Sequence, residues 1–176
     1  MSAAIMTFPP RHFQDLIEAA MPDASFVSAL EVPEPYRKLL DHRNDMTRTL
    51  EQYHGEAIHL RILEAHEEGD TLYRLVLLVT ASGRIVEFGA IRINLTVFSG
   101  ETRAEVSSGR KPLGGILNDR GIGYRGRLAG LLSLHADQRF RELLHLENDP
   151  LLYGRRNRLE TLTGELIAEV VEILPP

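Results

Sequence analysis

Two runs of β-branched and aliphatic side chains, Thr71–Thr80 and residues 84–95, are separated only by Ala81-Ser82-Gly83, and no other feature restricts the fold as much. A connection this short cannot return the chain to the start of a parallel neighbour, which needs a crossover of about a dozen residues or more. The two runs therefore form an antiparallel hairpin. Residues 151–162 and Leu166–Leu174, around Thr163-Gly164-Glu165, repeat the pattern near the end of the chain. Ahead of the first hairpin, Ile58, Leu60 and Ile62 alternate with His59, Arg61 and Leu63 within residues 56–67, a period-2 strand that Glu68-Gly69-Asp70 turns into the next. Tyr124–His135 reads as a further strand.

Helical spacing appears between these strands. Phe13, Leu16, Ile17 and Ala20 predict a helix over residues 11–21. Tyr36, Leu39 and Leu40 predict one over 36–42, and Asn44-Asp45 offers an N-cap to Met46–His54, which Gly55 closes. Residues 96–108, 113–118 and 137–146 are the remaining helical stretches, the second introduced by Pro112 at its first position. Hairpins bracketed by helices, without strand-helix alternation, predict the α+β class: a single antiparallel β-sheet with helices packed on one side. With 176 residues, 43% of them hydrophobic, the chain is expected to form one domain over 1–176, residues 1–40 being an N-terminal helical segment.

Charge and composition narrow the function. A formal net charge of −5 and a 6% aromatic content without tryptophan argue against nucleic acid as a partner. The absence of cysteine removes disulfides, thiolate nucleophiles and cysteine-ligated metals together. His12, His42, His54, His59, His66, His135 and His145 form no metal-ligand pair in sequence, so no metal is expected. Neither a basic leader nor a long apolar run is present, which predicts a cytoplasmic protein with no membrane partner and makes the sequon Asn94-Leu95-Thr96 irrelevant. Gly121-Ile122-Gly123-Tyr124-Arg125-Gly126 matches a dinucleotide fingerprint as a string, but a helical segment precedes it and a strand follows, the reverse of what that site requires.

A few residues stand where their chemistry is out of place. Arg74 lies in Leu72-Tyr73-Arg74-Leu75-Val76, with apolar residues on both strand faces, so its guanidinium demands an internal acid or an anionic ligand. Glu172, in Val170-Val171-Glu172-Ile173-Leu174, is a carboxyl in an apolar run and a candidate for a raised pKa and for proton transfer. A bland alternative pairs Arg74 with Glu172. Glu169 falls on the opposite strand face and is expected to be solvated or paired. Gly89, inside a strand, marks a bulge or a close approach to the backbone. Pro112-Leu113-Gly114-Gly115 opens a helix and could hold an anion. In Gly154-Arg155-Arg156-Asn157-Arg158, alternation separates Arg155, expected at the surface, from Arg156 and Arg158.

Taken in order, Asp45-Met46-Thr47, Arg74 with its aliphatic strand, Gly89, Lys111-Pro112-Leu113-Gly114, Tyr153-Gly154-Arg155-Arg156 and Glu172-Ile173-Leu174-Pro175-Pro176 resemble the chorismate pyruvate-lyase family and its actinobacterial-type 4-hydroxybenzoate synthase relatives over residues 41–176. The resemblance implies a chorismate lyase-like fold with an internal ligand pocket, and a cofactor-free carbon-oxygen lyase that cleaves chorismate to 4-hydroxybenzoate and pyruvate, held back by its product. It implies that Arg74 binds the ring carboxylate with the Leu113 backbone N–H, that Glu172 meets the ring hydroxyl, with Glu169 as the wrong-register alternative, and that Gly89 lines the ring. Met46 and Thr47 join the substrate site, and Arg156, if it faces inward, meets the second carboxylate. The competing expectation is a non-catalytic binding module for a small aromatic carboxylate, like the effector domains of transcription regulators with this fold. The lack of a preceding winged-helix segment, with Arg74 and Glu172 both present, weighs toward the enzyme.

Overall fold

A computed structural model describes residues 24–176. The helix expected over residues 11–21 lies outside them. The strands are β1 (Ser25–Val27), β2 (Ile58–Glu68), β3 (Thr71–Thr80), β4 (Ile85–Asn94), β5 (Tyr124–His135), β6 (Leu151–Thr161) and β7 (Leu166–Leu174). The helices are α1 (Tyr36–Leu40), α2 (Met46–His54), α3 (Gly100–Ser108), α4 (Leu113–Asp119) and α5 (Gln138–Leu144). All seven strands join one antiparallel sheet in the order β1-β5-β6-β7-β4-β3-β2. Both expected hairpins are neighbours in it, and they meet along β4 and β7, which lie in the middle of the sheet.

Alternation divides the sheet into two faces. On one, Leu75, Leu77, Phe88, Ala90, Val171 and Ile173 pack together with Phe140 and Leu144 of α5, the Phe88 and Phe140 rings meeting edge-on at 5.2 Å. The other face is roofed by α1 to α4 through two clusters: Leu39, Leu40, Met46 and Leu50 over Leu78, Leu131 and Leu174, and Val106, Leu113, Ile116 and Leu117 over Leu72, Ile93 and Ala168. The expected class, one antiparallel sheet with its helices gathered on one side, is thus realised, and among the described residues α5 is the one helix on the reverse face. Among the described residues no helix is long and apolar enough to cross a membrane.

Local signals explain most boundaries. Asp45 caps α2 by accepting the Arg48 N–H at 2.8 Å, and Gly55 closes that helix at φ 68°. Pro112 stands one residue earlier than expected, as the N-cap of α4. The stretch 96–108 divides, because the Asn94 side chain accepts from the Thr96 N–H at 3.1 Å and winds Leu95–Val97 into a 3-10 turn before α3 begins. Gly89 sits in regular pairing between Val76 and Glu172; the nearby bulge is at Val86, opposite Leu78 and Val79, so close approach is the reason for this glycine.

Candidate functional site

The roofed face does not close over the centre of the sheet. A cavity of about 90 Å³ remains there, floored by Arg74, Val76 and Leu78 of β3, Glu87, Gly89 and Ile91 of β4, Val170 and Glu172 of β7, and Arg155 and Asn157 of β6. Its rim is the entry to α2, from Arg43 to Thr47, together with Pro112, Leu113 and Gly114 at the entry to α4 and Tyr124 of β5. The two helix entries are pressed together: a Cβ on Gly114 would fall 1.7 Å from an Asp45 carboxylate oxygen, so any larger residue would have to displace that capping side chain. Tyr124 donates its hydroxyl to the other side of the same contact, Asp45 Oδ2, at 3.4 Å.

Arg74 is 2% exposed. Its Nη2 donates to the Val106 carbonyl in the last turn of α3, where the helix dipole is negative. Gly109, at φ 67°, lets the chain leave α3 against Ile62 and the guanidinium. Nε of Arg74 has no hydrogen-bond partner, and among the described residues no carboxylate forms an ion pair with it. Burial lowers its pKa, while the field of Glu67 acts in the opposite sense; an arginine remains charged under such shifts.

Glu172 does not pair with Arg74. Its Oε2 accepts from Nε of Arg155, which is 1% exposed. Nη1 of Arg155 also donates to the carbonyls of His42 at 3.1 Å and Leu40 at 3.4 Å, and approaches His42 Nδ1 at 3.3 Å. Burial first, and the Arg155 charge second, lower the His42 pKa. The neutral ring accepts at Nδ1, where the Asn44 N–H also donates at 3.1 Å. Arg155 is therefore a satisfied strut that ties the end of α1 and the following loop to β6 and β7.

This reverses an expectation. Arg155 was placed at the surface and Arg156 considered as an inward partner for a second carboxylate; instead Arg156 lies on the reverse face, 3.8 Å from Glu169, which also holds Arg92 at 3.4 Å. The alternation was right and its sense inverted. Gly154, on the same face as Arg156, packs closely on β7: a Cβ there would fall 2.4 Å from the Glu172 carbonyl and 2.3 Å from Ile173 Cδ1. The signal was present in β6: Arg156, Arg158 and Glu160 share one face, whereas Arg155 shares the other with Tyr153 and Leu159.

Two polar residues of the floor escaped the sequence reading. Glu87 is 4% exposed, its Oε2 has no partner, and burial, followed by the charge of Glu172, pushes its pKa well above 4.5 against the opposing pull of Arg155. Asn157 is buried with Oδ1 unpartnered. A charge in Ile85-Val86-Glu87-Phe88 was as anomalous as Arg74 and could have been noticed. Of the residues singled out from sequence, Arg74, Gly89, Leu113, Glu172, Met46 and Thr47 line this one cavity, and Arg156 does not.

Neither a protein-family model nor a curated protein matches the chain. Solved structures do. PhnF from Mycobacterium smegmatis aligns with a TM-score of 0.58 at 14% identity over 74% of this chain and 63% of that one, so the chain spans less than two thirds of that protein. The effector domain of PhnF on its own aligns with a TM-score of 0.56 at 13% identity, over 74% of this chain and 87% of that one. A structure described as the ligand-binding domain of a GntR-family transcriptional regulator from Bordetella bronchiseptica gives 0.53 at 16% identity, over 67% and 85%. At such identities the likeness shows the fold alone. The chain has the chorismate lyase-like fold that these regulator domains share.

Proposed function

We propose that this domain binds a small carboxylic acid in the cavity, as a ligand-binding module whose ligand carries a hydroxyl or amino group at the end remote from its carboxylate. One observation carries the reading: Arg74 lines the cavity, buried, charged and without an ion-paired carboxylate among the described residues, and its Nε has no partner. A buried cation in that condition is costly until an anion completes it. Arg74 and Glu172 are separated by β4 and by one step of the pleat, which places their Cα atoms roughly 12 Å apart. The side chains occupy much of that span, leaving room for one ring or short chain above Gly89. Asn157 Oδ1 and the carboxyls of Glu87 and Glu172 supply acceptors for a donor at the far end. The matched proteins are effector and ligand-binding domains, in keeping with a binding role.

The second reading is chorismate pyruvate-lyase turnover in the same cavity, favoured by the two carboxyl groups, Glu87 and Glu172, at the end opposite Arg74. Cleavage breaks the ether bond between ring and enolpyruvyl oxygen, removes a ring proton as the ring aromatises, and protonates the released enol to pyruvate. The protein then contributes orientation, charge compensation and exclusion of water, with Glu172 against the ring hydroxyl. In this reading the Leu113 N–H assists Arg74 on the carboxylate, Met46 and Thr47 line the same cavity, and no cofactor takes part.

Incubation with chorismate, assayed for pyruvate and hydroxybenzoate alongside calorimetric titration with 4-hydroxybenzoate, tests both readings. Saturable binding without pyruvate supports the module, pyruvate release supports the lyase, and neither binding nor turnover refutes the site.

A further inference from the structure

We propose that Glu87 reads the end of the ligand remote from Arg74 and restricts the cavity to monoanions, small carboxylic acids whose second polar group is uncharged. The inference rests on the carboxylate-binding reading above and adds the charge class of the ligand.

The geometry begins at Gly89. A Cβ there would lie 3.4 Å from Glu87 Oε1 and 2.9 Å from Val76 Cγ2, so the missing side chain leaves the space in which the Glu87 carboxyl reaches over β4. The other oxygen, Oε2, has no partner, and the residue belongs to the cavity floor. The charged groups around the cavity then sum simply. Arg155 is offset by Glu172, with which it is bonded. At the rim, Arg43 and Asp45 oppose each other in sign. Glu87 faces Glu172 on β7, Arg155 on β6 and Asp45 on the loop, and the balance of burial and these charges favours its protonated form. Arg74, attracted by Glu67 but ion-paired with no carboxylate among the described residues, is left with positive charge for a single carboxylate.

A second carboxylate at the far end would meet Glu172, Glu87 and the Asn157 Oδ1 acceptor, with the nearest guanidinium already committed. A hydroxyl or amino group suits the same surroundings. It can donate to Asn157 Oδ1 or Glu172 and accept from the Glu87 acid proton, completing atoms that otherwise stay unsatisfied.

Calorimetric titration of the full chain at neutral pH with benzoate, 4-hydroxybenzoate and terephthalate decides the point, in the wild type and in Glu87→Gln and Glu87→Leu. The wild type should bind 4-hydroxybenzoate about tenfold or more tightly than either of the other acids, because a site built to bond a hydroxyl penalises both its loss and its replacement by a charge. Glu87→Gln, which keeps an uncharged donor, should preserve that order. Glu87→Leu should lose the advantage of the hydroxyl and bind benzoate and 4-hydroxybenzoate about equally. Terephthalate binding as tightly as 4-hydroxybenzoate, or an undiminished hydroxyl advantage in Glu87→Leu, would overturn the assignment. If Glu87→Leu binds nothing, Glu87→Gln decides: a retained order supports the proposal and a lost one defeats it. Failure of all three acids to bind the wild type would instead remove the carboxylate site itself.

Discussion

The two buried arginines of this cavity solve the same desolvation problem by opposite means, and they should respond differently to substitution. Arg155 is matched by Glu172 and by backbone carbonyls, so Glu172→Ala leaves a bonded guanidinium stranded. A loss of about 3–5 kcal/mol in denaturant unfolding is predicted. Arg74 donates to the carbonyl end of α3 and is ion-paired with no carboxylate among the described residues, so Arg74→Met, of similar length and apolar, should leave stability nearly unchanged or raised. The same change should weaken carboxylate binding by at least about thirtyfold, equal to ~2 kcal/mol. Glu87 adds a pH dependence. Its folded pKa is raised above the ordinary 4.5, so the folded state keeps a proton that the unfolded chain gives up. The stability from that proton is complete below about pH 4.5 and is lost as pH rises through the folded pKa. Glu87→Gln cannot lose it: denaturant melts across pH should show the variant gaining on the wild type as pH rises from 4.5 toward neutrality, and no divergence would contradict the protonated state.

At the scale of elements, glycine contacts hold the cavity open and in register. Gly114 lets the entries of α2 and α4 meet, and Gly154 lets β6 lie against the Glu172 carbonyl. Neither site can take a methyl group without moving backbone or a capping side chain. Gly154→Ala is predicted to destabilise the fold by about 1–3 kcal/mol, read by thermal unfolding, whereas Gly164→Ala strains only a turn at φ 91° with open space around it. Both hairpins, the cap at Asp45 and the stop at Gly55 were legible in the sequence because each depends on neighbours in the chain. The pairing of β4 with β7, which joins the hairpins, was not, since it depends on residues about eighty positions apart. For the same reason Arg74 and Glu172 were recognised as displaced residues, yet the partner of Glu172 was missed. Alternation identifies residues that share a face but not which face meets the cavity, since that depends on contacts with other strands.

For the whole molecule, the sheet and its helical roof enclose the Arg74 guanidinium without an ion-paired carboxylate among the described residues, and a ligand that completes it should stabilise the fold. At a hundredfold excess over Kd, the gain is about 2.7 kcal/mol, which for a chain of this size raises the melting temperature by about 5–10 °C. Differential scanning fluorimetry with 4-hydroxybenzoate should show that rise in the wild type and none in Arg74→Met. The most direct measurement is a calorimetric titration of these two proteins with the same acid. A saturable one-to-one heat in the wild type, absent from a folded Arg74→Met, is the predicted result. Equal affinity in the two would show that the buried guanidinium does not hold the carboxylate.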